Sequence, residues 1–160
     1  MTKLAIVGSR SFNNYELAEQ HIHQIISKQH LKLSDITIVS GGAKGADKIA
    51  EDFATKHSLE TIIFKPDWVR YGKSAGMIRN KDIISNADIV IAFWDGSSKG
   101  TKNSINHAKK MTKTCYVAKF AINKDDNFND IYSYDIELHQ YADLTKRTSS
   151  SLIDIRTKIG

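Results

Sequence analysis

Ser40-Gly41-Gly42-Ala43-Lys44-Gly45-Ala46-Asp47 decides how this chain is read. It follows the β-branched run Ile36-Thr37-Ile38-Val39. It leads into a segment whose apolar residues, Ala46, Ile49, Ala50, Phe53 and Ala54, fall on one helical face. A strand passing through a glycine turn into a helix start gathers unpaired backbone N–H groups at one point, and the helix dipole adds partial positive charge there. Gly41, Gly42 and Gly45 carry no Cβ to hold a ligand off that backbone, and Lys44 brings a mobile charge. The place suits a phosphate, although a glycine turn can also be a tight connection that binds nothing. Asp47 opens the helix, where the dipole favours a carboxylate, and it could also hold a ribose hydroxyl.

Two familiar nucleotide motifs are absent. No G-x-G-x-x-G occurs, and Gly72-Lys73-Ser74 lacks the first glycine of a Walker A loop, because position 67 is Asp67.

Working outward, apolar strand-like runs alternate with helical stretches. Leu4-Ala5-Ile6-Val7 ends in Gly8-Ser9-Arg10, and a helix over about residues 15–29 follows, with Asn13 or Asn14 as its N-cap. Thr61-Ile62-Ile63-Phe64 is a third strand, closed by Pro66. Residues 67–74 read as a loop and residues 75–86 as a helix. Ile89-Val90-Ile91-Ala92-Phe93 ends in a second glycine loop, Asp95-Gly96-Ser97-Ser98-Lys99-Gly100-Thr101; a helix over about 101–112 and a fifth strand at 115–118 follow. Such alternation predicts an α/β, Rossmann-like, doubly wound parallel five-stranded sheet with helices on both faces. Ligands of these sheets bind outside the carboxyl ends of the strands, where strand order reverses. The Gly8-Ser9-Arg10, Ser40–Asp47, Asp67–Lys73 and Asp95–Thr101 loops all fall at those ends, which predicts a small anion site.

A chain of 160 residues, 41% hydrophobic and 26% charged, is about one soluble domain. No run has the length of a membrane span, and the N-terminus enters a strand without a signal-peptide pattern. With Cys115 as the single cysteine, in an apolar run, no disulfide framework exists, and a cytoplasmic location is expected. Residues 1–120 carry 18 Lys+Arg against 11 Asp+Glu, a balance of +7, while residues 121–160 carry 5 against 7, a balance of −2; together they make the overall +5. A basic body suits an anionic partner, either a nucleotide or a nucleic-acid backbone. After Phe120 the pattern degrades. Residues 131–138 and 152–159 are short candidate elements of a C-terminal extension, expected to pack on the same domain.

The blocks Gly8-Ser-Arg-Ser-Phe12, Ser40–Asp47, Pro66-Asp-Trp68, Gly72-Lys-Ser-Ala-Gly76, Ile78-Arg-Asn80 and Ala92-Phe-Trp-Asp-Gly96 through Lys99-Gly-Thr101 occur in one order. That series resembles the YspA-like, cpYpsA-related branch of the SLOG superfamily, the group that contains DprA/Smf and the Lonely Guy phosphoribohydrolases. The resemblance covers residues 3–120. It implies a nucleotide-binding SLOG domain over residues 1–120, with a nucleotide or nucleotide-derived ligand at the carboxyl edge of the sheet. Lonely Guy enzymes cleave a nucleoside monophosphate between base and ribose, using a helical arginine and a glycine-threonine helix start followed by a catalytic glutamate. Arg79 matches the arginine and Gly100-Thr101 the helix start. Where the glutamate should stand the chain reads Lys102-Asn103-Ser104, which leaves Asp95 or Asp47 as the carboxylate for such chemistry, geometry permitting.

The expected site therefore has Gly8, Ser9 and Arg10 on phosphate or ribose and Ser40, Gly41, Gly42, Lys44, Gly45 and Asp47 in the central turn. Arg79 and Asn80 come from the third helix, Gly96, Ser98 and Lys99 line the site from the second glycine loop, and Gly100 and Thr101 bind a second phosphate. Trp68, Tyr71 and Trp94 are candidate stacking faces for a base. Arg79 and Asp95 are the candidate catalytic groups. Binding, sensing or sequestration of a phosphorylated nucleoside or an ADP-ribose-like molecule is expected ahead of turnover. The alternatives are a nucleotide N-glycosidase or phosphoribohydrolase and a DprA-like single-stranded nucleic-acid binder. No membrane partner and no cofactor are expected. A homodimer or higher homo-oligomer is expected by analogy with Lonely Guy proteins. No metal is expected: His21 and His23, two apart on a helix, do not face each other.

Overall fold

The computed structural model describes residues 1–121 and the backbone of two short strands, at 137–140 and 152–154. In order come β1 (Thr2–Gly8), α1 (Tyr15–Lys28), β2 (Ile36–Ser40), α2 (Ala46–Lys56), β3 (Glu60–Ile63), α3 (Trp68–Tyr71), α4 (Ala75–Ser85), β4 (Ile89–Trp94), α5 (Lys99–Lys110), β5 (Thr114–Lys119), β6 (Glu137–Gln140) and β7 (Leu152–Asp154). The sheet order is β3-β2-β1-β4-β5-β6-β7. The first five strands are mutually parallel, with Leu4 opposite both Ile38 and Ile89. β6 and β7 extend the β5 edge antiparallel. The fold is the expected five-stranded parallel α/β sheet, and the chain leaves β1 first on one side, to β2, and later on the other, to β4. The remaining residues of the expected C-terminal extension, 122–136, 141–151 and 155–160, lie outside the described residues.

Both faces of the sheet are covered at β1, β2, β4 and β5, for a reason visible in those strands. Leu4 and Ile6 of β1, Ile36 and Ile38 of β2, and Ile89, Ile91 and Phe93 of β4 pack under α1 and α2. The intervening Ala5, Val7, Val39, Val90 and Ala92 pack under α4 and α5, with Ile83, Ile84, Ile105 and Ala108 opposite them. Successive side chains point to opposite faces, so a strand covered on both sides is apolar throughout rather than alternating. Cys115 is one of these core residues, fully buried, and burial pushes its thiol up to about 12.

Asn14 caps α1, its side chain accepting from the Leu17 amide at 3.1 Å. Residues 67–74, expected as loop, instead hold the single turn α3 and a 3-10 turn over Gly72–Ser74. The reason is local: the Asp67 carboxylate accepts from the Arg70 amide at 3.0 Å and caps that turn.

Candidate functional site

The β1 loop is fixed from below. Phe12 is fully buried and stacks on Phe93 with ring centroids 4.5 Å apart. The Ser9 amide donates to Phe93 O at 2.9 Å, and Ser9 Oγ accepts from the Asp95 amide at 3.2 Å. The loops after β1 and β4, the two neighbours at which strand order reverses, are thus tied together. Gly8 permits the approach: a Cβ there would lie 2.3 Å from Phe93 O and 2.8 Å from the Ala46 Cβ.

The glycine turn after β2 packs against the same loop. Gly45 has φ +76°, and a Cβ on it would fall 2.4 Å from Ser9 O, which accepts from the Ala46 amide at 3.3 Å. Gly45 is therefore spent on loop-to-loop packing. Ser40 is fully buried beneath the turn, its hydroxyl donating to Asp47 O at 3.2 Å and accepting from the Gly42 amide at 3.4 Å. Asp47 folds back on the turn, and its Oδ2 accepts from the Ala43 amide at 3.2 Å. One of the amides expected to cradle an external phosphate already holds an internal carboxylate. Burial raises the Asp47 pKa to about 6, against the opposing pull of the Ala43 amide and the Arg79 and Arg10 charges.

At the start of α5 the donors stay open. Asp95 accepts from the Ser97 amide at 2.9 Å and the Ser98 amide at 2.7 Å, shaping the approach to the helix. The Trp94 indole N–H donates to Ser98 O at 3.0 Å and braces the same turn. The first amide of α5 returned to the chain is that of Lys102, on Ser98 O at 3.1 Å, so the amides of Lys99, Gly100 and Thr101 precede the ladder. Burial works to raise the Asp95 pKa, but the Ser97 and Ser98 amides and the Ser9 hydroxyl outweigh it and hold it below the usual carboxylate range.

A cavity of about 420 Å³ lies between these loops. Of the expected residues it is lined by Gly8, Ser9, Arg10, Asp47, Arg79, Asn80, Asp95, Ser98, Gly100 and Thr101. An adjoining groove, sharing Arg10, Ala43 and Arg79, takes Gly41, Gly42, Lys44 and Trp68. Ser40, Gly45, Trp94, Gly96 and Lys99 line neither. Residues outside the expected set also join, Ser104, Lys48 and Lys65 among them. Ser104 lines the cavity three residues beyond Thr101, a spacing that puts both on one face of α5; Lys48 and Lys65 line the groove. Arg79 reaches in from α4, half-buried, and burial lowers its pKa. Asn80 donates to Gly100 O at 3.3 Å and Asn103 Oδ1 at 3.4 Å, joining α4 to α5. The result is a polar cavity with two arginines and a helix start directed into it, suited to an anion of nucleotide size.

Known proteins agree with this architecture. Residues 2–71 match the family described as YspA, cpYpsA-related SLOG. Over 116 residues the chain is 31% identical to the gene 61 protein of Mycobacterium phage D29, a match covering 69% of this chain and 90% of the phage protein. The chain belongs to the YspA, cpYpsA-related SLOG family. Solved structures share the SLOG fold at lower identity. DNA processing protein A from Helicobacter pylori, studied for its mode of single-stranded DNA binding, superposes with a TM-score of 0.53 at 23% identity, over 81% of this chain and 68% of that one. The structural-genomics target TM1055 gives 0.52 at 16% identity, over 72% of each chain. Among the described residues of this SLOG protein no helix is long and apolar enough to cross a membrane.

Proposed function

We propose that this SLOG protein binds a phosphorylated nucleoside or an ADP-ribose-like molecule at the carboxyl edge of its sheet, for sensing or sequestration. The observation that carries the proposal is the convergence of Arg10, Arg79 and the open N-terminus of α5 on one cavity at the point where strand order reverses. In this reading the phosphate sits at Gly100 and Thr101 rather than in the glycine turn, whose Ala43 amide is already engaged. The base lies toward the groove, where Trp68 is 55% exposed and free to stack. Residues 121–160 are taken as an extension of the same domain, and a homodimer belongs to the same proposal.

Asp47 supports a second reading, hydrolysis of an N-glycosidic bond. It is a cavity-lining acid with a pKa raised to about 6, the range suited to proton transfer, whereas Asp95 is held ionised by the loop it shapes.

The deciding experiment is a thermal-shift screen of the intact chain against nucleoside phosphates, cyclic nucleotides, NAD and ADP-ribose, with product analysis of each hit. A ligand at a hundred times its Kd stabilises by about 2.7 kcal/mol. A hit recovered intact supports binding, and release of free base that is lost in Arg79→Ala supports hydrolysis. Single-stranded DNA binding that weakens steeply with salt, with no response to mononucleotides, would overturn both and favour a nucleic-acid binder.

A further inference from the structure

At the end of α2 remote from the cavity, three side chains converge that the nucleotide site does not use. Glu19 and His23 are four apart on α1 and so share a face; His57 caps the C-terminus of α2. One ligand atom from each lies within 4.8 Å of the other two. His57 Nε2 is 3.7 Å from Glu19 Oε2, and among the described residues it is buried without a hydrogen-bond partner. A buried imidazole nitrogen normally meets a donor, an acceptor or a metal, and this one meets none of the first two. Its ring is held in place by Phe53, 4.5 Å away, and by the edge of His23, 5.1 Å away.

We propose that Glu19, His23 and His57 form a site for a single zinc-class divalent ion, which staples α1 to the C-terminus of α2. Two imidazoles and one carboxylate suit Zn²⁺, Co²⁺ or Ni²⁺ rather than Mg²⁺ or Ca²⁺, which prefer oxygen throughout. Three protein ligands leave a fourth position for water. Tetrahedral Zn²⁺ needs its donor atoms about 3.3 Å apart. The exposed His23 supplies the remaining movement by rotating, while the seated His57 stays put. Lys56 now occupies Glu19, its Nζ 2.9 Å from each carboxylate oxygen. That side chain is 56% exposed, so the ammonium can move to water when a metal takes its place.

The test titrates Zn²⁺ into the intact chain by calorimetry and follows Co²⁺ by its visible absorption. The expected result is one ion per chain, with affinity reduced at least tenfold in His23→Ala and in His57→Asn. Lys56→Met, which removes the competing cation, is expected to tighten binding by threefold or more. His30→Ala, on the turn after α1, serves as the unaffected control. Circular dichroism of His23→Ala guards against loss of fold, which an exposed residue should not cause. Absence of saturable binding, or binding that survives either histidine substitution, would overturn the site.

Discussion

Arg79 Nη1 donates to Gly41 O at 2.6 Å, so a guanidinium on α4 clamps the glycine turn that follows β2. The same residue turns its Nε toward Asn80 Oδ1 at 3.1 Å, and Asn80 in turn holds α5. One side chain therefore joins the β2 turn, α4 and the start of α5 around the cavity. Arg79→Ala should cost about 1.5–3 kcal/mol of stability, the usual range for a hydrogen bond from a charged group. It should also weaken the best nucleotide ligand at least tenfold. Arg79→Lys restores charge without the planar fork and should recover only part of either loss. Urea unfolding and ligand titration of the two variants check this.

Gly45 and Gly100 make opposite predictions. Gly45→Ala drives a Cβ into the Ser9 and Arg10 backbone at a positive φ, so it should cost more than 3 kcal/mol or abolish folding. Gly100, in the first turn of α5, has only Asn80 Nδ2 within 4 Å of a built Cβ, at 3.9 Å. Gly100→Ala should fold normally and gain up to about 1 kcal/mol of helix propensity, while its methyl group crowds a phosphate at the helix start. Higher thermal stability with weaker ligand binding is the expected pair of results.

Asp47 carries a pH signature. Its pKa rises from 3.8 to about 6 on folding, so between those values the native state holds the extra proton. The Asp47 contribution to stability then falls as pH rises through that window, by about 1.4 kcal/mol per unit and about 3 kcal/mol in all, and is level above it. Asp47→Asn keeps an acceptor for the Ala43 amide and removes the titration. Denaturation midpoints of this variant from pH 4 to 7 should lose the downward component.

His21 carries the opposite one. It is fully buried on α1, edge-on to Phe93, and among the described residues neither ring nitrogen has a hydrogen-bond partner. Burial lowers its pKa from 6.5 to about 4, so between those values the unfolded chain binds the extra proton and stability falls as pH drops. His21→Leu removes that acid loss and two unsatisfied nitrogens, and should stabilise by about 1–3 kcal/mol at pH 7. Between pH 4 and 6 the two contributions cancel in the natural chain. His21→Leu should therefore gain stability on acidification, and Asp47→Asn should lose it.

Much of the site was legible because its signals are local. Gly8-Ser9-Arg10 and Gly100-Thr101 each stand at a strand end or helix start, and a parallel sheet delivers all such positions to one edge. Lys48 and Lys65 carried no comparable signal, since their approach to Trp68 depends on how α2 and the loop after β3 lie beside each other. The Glu19, His23 and His57 cluster was hidden for a similar reason. His57 is 34 or more residues away along the chain, and only the packing of α1 on α2 brings it near.

By itself the sequence determined the order of elements and the sheet they build. Apolar runs such as Leu4–Val7, Ile36–Val39 and Ile89–Phe93 read as strands covered on both faces, and the glycine turns mark where the chain must reverse. Only the tertiary structure decided which glycine-rich helix start keeps its amides open. Ahead of each helix a carboxylate takes loop amides, Asp47 that of Ala43 and Asp95 those of Ser97 and Ser98, but at α2 the first-turn Ala46 amide is also taken, by Ser9 O. Both loops offer the same backbone chemistry, and the difference lies in whether a neighbouring loop's carbonyl reaches the first helical amide after folding. That contact is set by Gly45 packing against the loop after β1, which no local pattern encodes.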